Sequence, residues 1–502
     1  MLEILAVAGV GLTGVGTMVV LHRLGLRAGL ILQALGIGLL GLSGSISLFD
    51  TATAGSAFGS TIDPAFGIDG LSGFFLMMLG LVAVPAMVFA DGYLAGHRHS
   101  RAVGALGGIF VLALVGVVCA RDVVTFLVFW ELMTIVPAAA ILVARRDQLV
   151  RREVFAYIGI THLGGTGVWL ALLTLANEGA IGGTALRTGG LQTVVAIAAL
   201  IGFGTKAGLM PAHAWLPRAH PVAPSHISAV MSALMVKVAL YGLIRVTFEW
   251  IQAPAWFGVV LLVVGGVSAV GGVLYALFQH DLKRLLAFSS IENVGIVTLG
   301  LGAAVVLTAR GDVTWGAIAF AAGMLHALNH AVFKGLIFLG AGAFERAVGS
   351  LELDRLGGLL RRMPWVGGAF LVGAMAIAGL PPLNGFASEW LTLQALMHLG
   401  TGGGVASGVG GLAAVITLGV TAALALYCFV KVTGLVLLGG PRRPACAQAV
   451  DPSRMMRAAM VALAALCVVL GAAPGLVLPE LVALGGGSAA RNVGLDIPMT
   501  GS

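Results

Sequence analysis

The chain has 502 residues, of which 59% are hydrophobic and only 10% charged, and its mean hydropathy is +1.03. That balance excludes a water-soluble globular protein and defines a polytopic membrane protein whose main solvent is the lipid bilayer. The net charge of +7 is accounted for by positive loops on one membrane face and gives no reason to invoke nucleic acid.

Hydrophobic runs predict fourteen transmembrane spans, at about 2–20, 26–48, 68–90, 103–120, 122–143, 154–176, 190–217, 225–248, 254–278, 282–308, 314–343, 365–397, 406–438 and 455–483. The first run has Glu3 at its start and Arg23 and Arg27 after it. A signal peptide needs the reverse order, so the run is expected to stay as a membrane helix. Alternating the spans gathers Arg23, Arg27, Arg98, Arg101, Arg145, Arg146, Arg151, Arg152, Arg361, Arg362, Arg442, Arg443 and others on one face, and leaves only Arg121, Arg187, Arg245, Arg310 and Arg491 on the other. The arginine-rich face is expected to be cytoplasmic and both termini to lie outside. The abundant glycine (75 residues) suits close helix packing. Cys119, Cys428, Cys446 and Cys467 are scattered without a CxxC pair, which argues against a metal cluster or a disulfide framework.

Arginine is distributed to the surface and lysine is kept inside. Of five lysines only Lys283 is expected near a loop; Lys206, Lys237, Lys334 and Lys431 fall within apolar runs. Burial can draw a lysine towards neutrality, whereas arginine stays charged at any accessible pH, so lysine is the residue suited to taking up and releasing protons inside a membrane. A charge at mid-membrane costs about 2.5–3.5 kcal/mol on insertion scales, so partners are expected.

In chain order, Asp69 is read as the entrance to the third span, and Asp122, Arg145 and Arg146 as solvated loop residues. Glu131, in the middle of the fifth span, is the candidate partner of Lys206. Between Lys206 and Lys237 stand Pro211, Pro217, Pro221 and Pro224 with His213, His220 and His226. A straight helix is excluded there, and the histidines are expected where the chain leaves the membrane. Glu292 in LLAFSSIENVGIV is a possible access residue. His326, His330 and Lys334 recur every four residues and share one helix face, a pattern suited to relaying protons. The run from Glu352 to Arg362 reads as solvated loop. The twelfth span repeats the broken-helix device with Pro381 and Pro382 before Glu389, and Lys431 is expected to continue the polar line. Two interrupted spans carrying ionisable residues point to a transporter built from inverted repeats.

Phosphate-binding glycine loops and dinucleotide fingerprints do not occur in sensible context, so no cofactor is expected in this chain. A quinone- or haem-binding oxidoreductase subunit is the enzyme-class alternative.

The stretches FWELM, GFGTKAGLMPAHAWLPRAHPVAPSHISAVMSALMVKVALYGLIR, HALNHAVFKGLIFLGAG and GLPPLNGFASEW resemble the antiporter-like membrane subunits of respiratory complex I, Mrp sodium/proton antiporters and group 4 hydrogenases. AHPVAPSHISAVMS and KRLLAFSSIENVG are most similar to the branch holding hydrogenase-4 component B and formate hydrogenlyase subunit 3. The resemblance implies an all-α fold of fourteen helices forming a single membrane domain (1–502), with inverted five-helix repeats at about 103–248 (spans 4–8) and 254–438 (spans 9–13). It also implies a proton path: Glu131 and Lys206 as coupling pair, Lys237 as central lysine, His326, His330 and Lys334 as the next relay, Glu389 as terminal site, and Lys431 as a weaker member. The implied setting is a multi-subunit complex in a bacterial or archaeal cytoplasmic membrane, with other membrane subunits and a cytoplasmic redox module as partners. The chain ends soon after its last predicted span, so a long lateral helix is not expected; the D-type subunit of an Mrp sodium/proton antiporter is the alternative.

Overall fold

With no water in a bilayer core to satisfy backbone groups, a chain of this composition folds as helices and breaks them only where protein covers the break. The computed structural model follows that rule. It describes residues 1–22, 25–59, 62–187, 189–402 and 404–490, so Arg23 and Arg491 lie outside the described residues. The helices are α1 (Leu2–Leu21), α2 (Leu26–Phe49), α3 (Gly70–Leu94), α4 (Ser100–Cys119), α5 (Val123–Ala144), α6 (Gln148–Asn177), α7 (Gly190–Ala207), α8 (Leu216–Val222), α9 (Ser225–Val230), α10 (Val236–Ile244), α11 (Ala255–Leu277), α12 (Leu282–Ala309), α13 (Val313–Val348), α14 (Leu359–Arg362), α15 (Pro364–Ile377), α16 (Asn384–Thr401), α17 (Gly404–Val436), α18 (Pro444–Gln448), α19 (Arg454–Ala472) and α20 (Leu478–Ala490). A two-residue hairpin, β1 (Ala54–Gly55) with β2 (Gly67–Ile68), folds the loop before α3.

Among the described residues, 13 helical stretches are long and apolar enough to cross a membrane. The expected twelfth span supplies a further crossing as two pieces, α15 and α16. Three further expected spans are not single helices either. The seventh is α7 and α8 with a break between them. The eighth is α9 and α10, with π-turns at Met231–Met235 and Arg245–Trp250. The fourteenth, expected to run unbroken over 455–483, stops at Ala472; Pro474 cannot donate to the preceding turn, and the chain restarts as α20.

Polarity is arranged inside out. The stretches that carry Lys237, Glu292, His326, His330 and Lys334, namely Ser225–Trp250, α12 and α13, are the most buried, while α1 and α17 are largely exposed to the surroundings. In lipid the apolar faces need no partner, and the polar ones do. Glycine lets the backbones approach: a Cβ on Gly41 of α2 would lie 2.8 Å from the Gly80 Cα of α3.

The arginine-poor face is closed by buried ion pairs, not by solvated loops. Asp69 caps α3 through the Ser72 N–H (2.9 Å) and accepts both Arg245 (2.6 Å to each carboxylate oxygen) and Arg121 (3.4 Å), while Arg245 also reaches Glu249 at 2.6 Å. Arg121 further donates to Ser72 Oγ at 2.7 Å. Asp122, expected in solvent, is fully buried; it caps α5 through Thr125 N–H (2.8 Å) and accepts the Ala65 N–H (2.9 Å). An aspartate before an apolar run is the usual N-cap, which accounts for the difference.

Burial alone would raise the Asp69 carboxyl, but Arg245 and Arg121 hold it well below the usual carboxylate range. A depressed folded value gives stability that is present above the unfolded value and lost as pH falls through the folded one, so this cluster is intact throughout neutral and mildly acid pH. Asp69→Asn is expected to destabilise by about 2–3 kcal/mol, less than a fully buried pair because Asp69 is itself a third exposed. A lowered thermal unfolding midpoint of the purified chain at pH 7 checks this, with the difference from wild type vanishing only in strong acid.

Candidate functional site

Both broken spans end their first half in the same way. Ala207-Gly208-Leu209-Met210-Pro211 and Ala378-Gly379-Leu380-Pro381-Pro382 share the pattern A-G-L-x-P. Gly208 (φ +83°) and Gly379 (φ +64°) take the left-handed conformation. The following leucine N–H reaches back to a helix carbonyl, Leu209 to Gly204 O at 2.8 Å and Leu380 to Met375 O at 3.1 Å. This glycine cap satisfies carbonyls the helix would otherwise leave bare, and the proline prevents its resumption. In the first break, Trp215 Nε1 also donates to Thr205 O at 2.7 Å.

Lys206 lies in the last turn of α7, just before that cap, and is buried. Its ammonium donates to Thr134 Oγ1 of α5 and sits 5.7 Å from the Trp130 ring and 6.0 Å from the Tyr157 ring. Tyr157 OH in turn donates to Thr134 O at 3.0 Å. Glu131 is within electrostatic range of Lys206 but is not in contact with it. Its carboxylate instead meets His162 Nε2 of α6 at 2.9 Å and accepts Trp169 Nε1 at 3.4 Å, on the outer flank of the bundle. Position i of one helix and a lysine near the end of another do not reveal which way each helix is turned, so Thr134 and His162 were not visible from sequence.

Lys237 follows the first π-turn of the eighth span. Its ammonium donates to Ser232 O within that turn at 2.8 Å, and Ser232 Oγ meets Ser290 Oγ of α12 at 2.7 Å. Ser290 Oγ donates to Leu286 O (2.9 Å), which also accepts the Lys334 ammonium (2.8 Å); Lys334 further donates to Ser289 Oγ at 2.6 Å. The serines of LAFSSIEN thus join the two lysines. A pair of serines beside a buried carboxylate in an otherwise apolar helix was the available signal.

His326 and His330 stand on α13 with ring centroids 6.4 Å apart and nearly parallel planes, one turn from Lys334, as their spacing predicts. His326 Nδ1 bonds Ser388 Oγ of α16 at 3.0 Å; its other nitrogen and both of His330's make no hydrogen bond to a described residue. Asn329 and Asn384 pair reciprocally, with Asn329 Nδ2 on Asn384 O at 2.7 Å, and hold the start of α16 against α13. Glu389 follows one turn later. Its carboxylate packs on Gly379, where a Cβ would lie 2.6 Å from Oε2.

Several expected positions differ. Glu292, read as a possible access residue, is fully buried in α12, within electrostatic range of both Lys334 and Glu389. His220 and His226, expected near solvent, are wholly buried, and His220 packs on Phe338 with centroids 4.8 Å apart. The turn between α8 and α9 packs against α12 and α13, which cover both rings. His213 is half-buried and bonds Pro211 O at 3.1 Å. Lys283, placed near a loop, is buried and pairs with Glu345 at 2.7 Å. Lys431 lies apart from the line: it donates to Leu277 O (2.8 Å) and Gln279 O (3.0 Å) and so caps the end of α11, a common use of lysine at a helix C-terminus. No group of three or more histidine, cysteine, aspartate or glutamate side chains able to hold a metal occurs among the described residues.

A helical membrane bundle with two glycine-capped breaks and a line of buried lysines, histidines and carboxylates defines a class of ion-translocating subunits. The chain belongs to the family "NADH:quinone oxidoreductase/Mrp antiporter, TM", whose profile matches residues 120–417. It is 37% identical to hydrogenase-4 component B of Escherichia coli over 83% of its own length and 63% of that protein, and 40% identical to formate hydrogenlyase subunit 3 of the same organism over 57% of its length and 47% of that protein. The chain therefore spans less than two thirds of either relative. In fold it is similar to a chain of the Mrp complex from Dietzia sp. DQ12-45-1b, with a TM-score of 0.78 at 22% identity, covering 97% of this chain and 98% of that one.

An alanine in the left-handed region costs about 1–2 kcal/mol. Gly208→Ala and Gly379→Ala are each expected to destabilise by an amount of that order or more and so to lower the unfolding midpoint, because the added methyl also meets the buried Leu216 side chain in the first and Glu389 in the second. Thermal melts of the two purified variants check both.

Proposed function

We propose that this chain is the proton-translocating subunit of a multi-subunit membrane complex, moving protons along the line Glu131–His162, Lys206, Lys237, His326, His330, Lys334, Glu292 and Glu389. One observation carries the reading. Lys206, Lys237 and Lys334 are buried at mid-membrane, and each hydrogen-bonds neutral hydroxyl or carbonyl oxygens, with no carboxylate within ion-pair distance among the described residues. An amine held this way keeps its hydrogen bonds whether or not it carries the extra proton.

Two inverted repeats, 103–248 and 254–438, organise the path. In support, both A-G-L-x-P breaks fall in the fourth span of a repeat, and each second span begins with a capping aspartate, Asp122 or Asp281, ahead of a carboxylate, Glu131 or Glu292. The fifth spans carry Lys237 and Lys431. The arginine-rich face is assigned to the cytoplasm of a bacterial or archaeal cell and both termini to the outside. Other membrane subunits and a redox module on the cytoplasmic side drive the transport, with no cofactor in this chain. A second reading, an Mrp-type sodium/proton antiporter subunit, is favoured by the fold similarity to the Mrp complex; sodium-dependent proton movement would select it.

Lys206→Ala and Lys334→Ala in the assembled complex are expected to abolish proton movement into membrane vesicles, read with a pH-sensitive dye. Lys206→Arg should be as inactive as alanine, because arginine keeps the charge but does not release the proton. Thr134→Val removes a hydrogen bond to a charged group, worth about 1.5–3 kcal/mol, and is expected to slow transport about tenfold or more, while Thr134→Ser restores it. Lys431→Ala should leave transport within about twofold, as befits a helix cap. Normal pumping by Lys206→Arg would refute proton release at that site.

A further inference from the structure

Behind the arginine-rich face lies a cavity of about 250 Å³ lined by His97, Arg98, Ser100, Arg145, Lys283 and Glu345. Its floor is the Lys283–Glu345 ion pair. The two partners are not equivalent: the Lys283 side chain is 2% exposed and that of Glu345 33%, so the carboxylate faces the cavity and the ammonium faces the protein. Lys283 also donates to Ala223 O at 3.1 Å, and Glu345 Oε2 accepts the Ser225 hydroxyl at 3.3 Å. Ala223 and Ser225 flank Pro224, the joint between α8 and α9. The pair therefore fastens α12 and α13 to the joint between the seventh and eighth spans.

Further polar rings stand on the elements that meet at this joint. Tyr93 is buried, with His97 stacked on one side (5.7 Å) and His226 edge-on to it (5.7 Å); its hydroxyl accepts the Ser225 N–H at 3.3 Å. His226 and His220 are fully buried, and neither ring nitrogen of either bonds a described residue. His226 is within electrostatic range of Lys283 and His97, and His220 within range of Lys237, Lys283 and Lys334. A simple staple between helices would need no imidazoles with unpartnered nitrogens beneath it, since each such group costs about 1–3 kcal/mol. The other charged or titratable groups around the pair are Asp281 before α12, Arg346 on α13, Tyr93 at the end of α3, His97, Arg98 and His99 between α3 and α4, and Arg145 at the end of α5.

We propose that the Lys283–Glu345 pair is the gate of a proton-uptake route that opens on the arginine-rich face and enters the relay through His226 and His220. The proposal rests on the proton-translocation reading above. A proton from cavity water adds to the Glu345 carboxylate and removes its charge, so that the hold on Lys283, and through it on the joint at Pro224, is released. The proton then passes to a ring nitrogen of His226. The imidazolium gives up its other N–H proton to His220, and His220 likewise to the relay lysines, each imidazole ending neutral.

The test uses the assembled complex in membranes and a membrane-impermeant maleimide applied from the arginine-rich face. The four native cysteines are buried and give little background. His226→Cys is expected to be protected while Glu345 is present and to react about tenfold or more faster in the Glu345→Gln background, as local opening predicts. Arg98→Cys, in the cavity itself, should react equally in both. If His226→Cys does not assemble, Ser228→Cys takes its place. Equal labelling in the two backgrounds overturns the gate. In transport, His226→Gln and His220→Gln should each lower the proton rate about a hundredfold or more in assembled complex, the size of one lost proton-transfer group. Normal rates in both overturn the route. If Lys206→Ala and Lys334→Ala abolish transport while the histidine variants do not, the relay stands and only this entry fails; if the lysine variants also transport normally, the relay itself fails.

Discussion

Everything in the interior follows from the neutrality of the groups that hold the lysines. Two opposite charges 4 Å apart at an effective dielectric near 20 attract by about 4 kcal/mol, close to three pKa units, enough to fix an ammonium in its charged state. Hydroxyl and carbonyl oxygens solvate an ammonium without imposing that penalty on its deprotonation. Lys206, Lys237 and Lys334 have such partners. Carboxylates are set directly against cations elsewhere: Asp69 with Arg245 on one face, Glu345 with Lys283 on the other. These ion pairs lie towards the faces and fasten helices; the lysines without a carboxylate in contact lie between them.

Neutral oxygens for the lysines come from hydroxyls, from a helix carbonyl that accepts a second bond, as Leu286 O does for Lys334, and from departures from regular helix. A π-turn brings Ser232 O to Lys237, and the glycine cap at Gly208 places Lys206 at a helix end against the Thr134 hydroxyl. The same cap at Gly379 sets the carboxylate of Glu389 against a bare backbone. At Lys237 the defect itself supplies the oxygen that the charge needs, and at Lys206 and Glu389 it sets where the ionisable side chain stands.

The fold was legible in the sequence because its signals are local. Apolar runs gave the crossings, prolines gave the two breaks, and the rarity of lysine outside apolar sequence marked the ionisable line. His326, His330 and Lys334 were legible for the same reason, since their spacing alone puts them on one face. What could not be read was helix rotation and depth. Glu131 and Lys206 both lie deep, but α5 turns Glu131 outward to His162 and presents Thr134 to the lysine. Glu292 and Lys283 sit in one helix that reads as moderately polar, and only its central position shows that both are buried. Lys431 looked equivalent to the other inner lysines until its carbonyl partners at the end of α11 set it apart. The repeated A-G-L-x-P was present in the sequence and would have tied the two breaks together.

The two ends of the ionisable line are not buried as its middle is. Glu131 and His162 have side chains 26% and 40% exposed, with Trp169 beside them, and Glu389 is half-buried at the opposite end. In a lone chain those groups would face lipid hydrocarbon, where a charged side chain costs several kcal/mol and an unsatisfied polar one somewhat less. The chain supplies Glu131 with two partners and still leaves it on the flank, so the arrangement is stable only if something polar or proteinaceous covers it. In the multi-subunit complex proposed above a neighbouring membrane subunit would meet that requirement, and a lipid tail would not. The same exposure that would be a defect in an isolated transporter is what a subunit needs if its proton path is to continue into the next one.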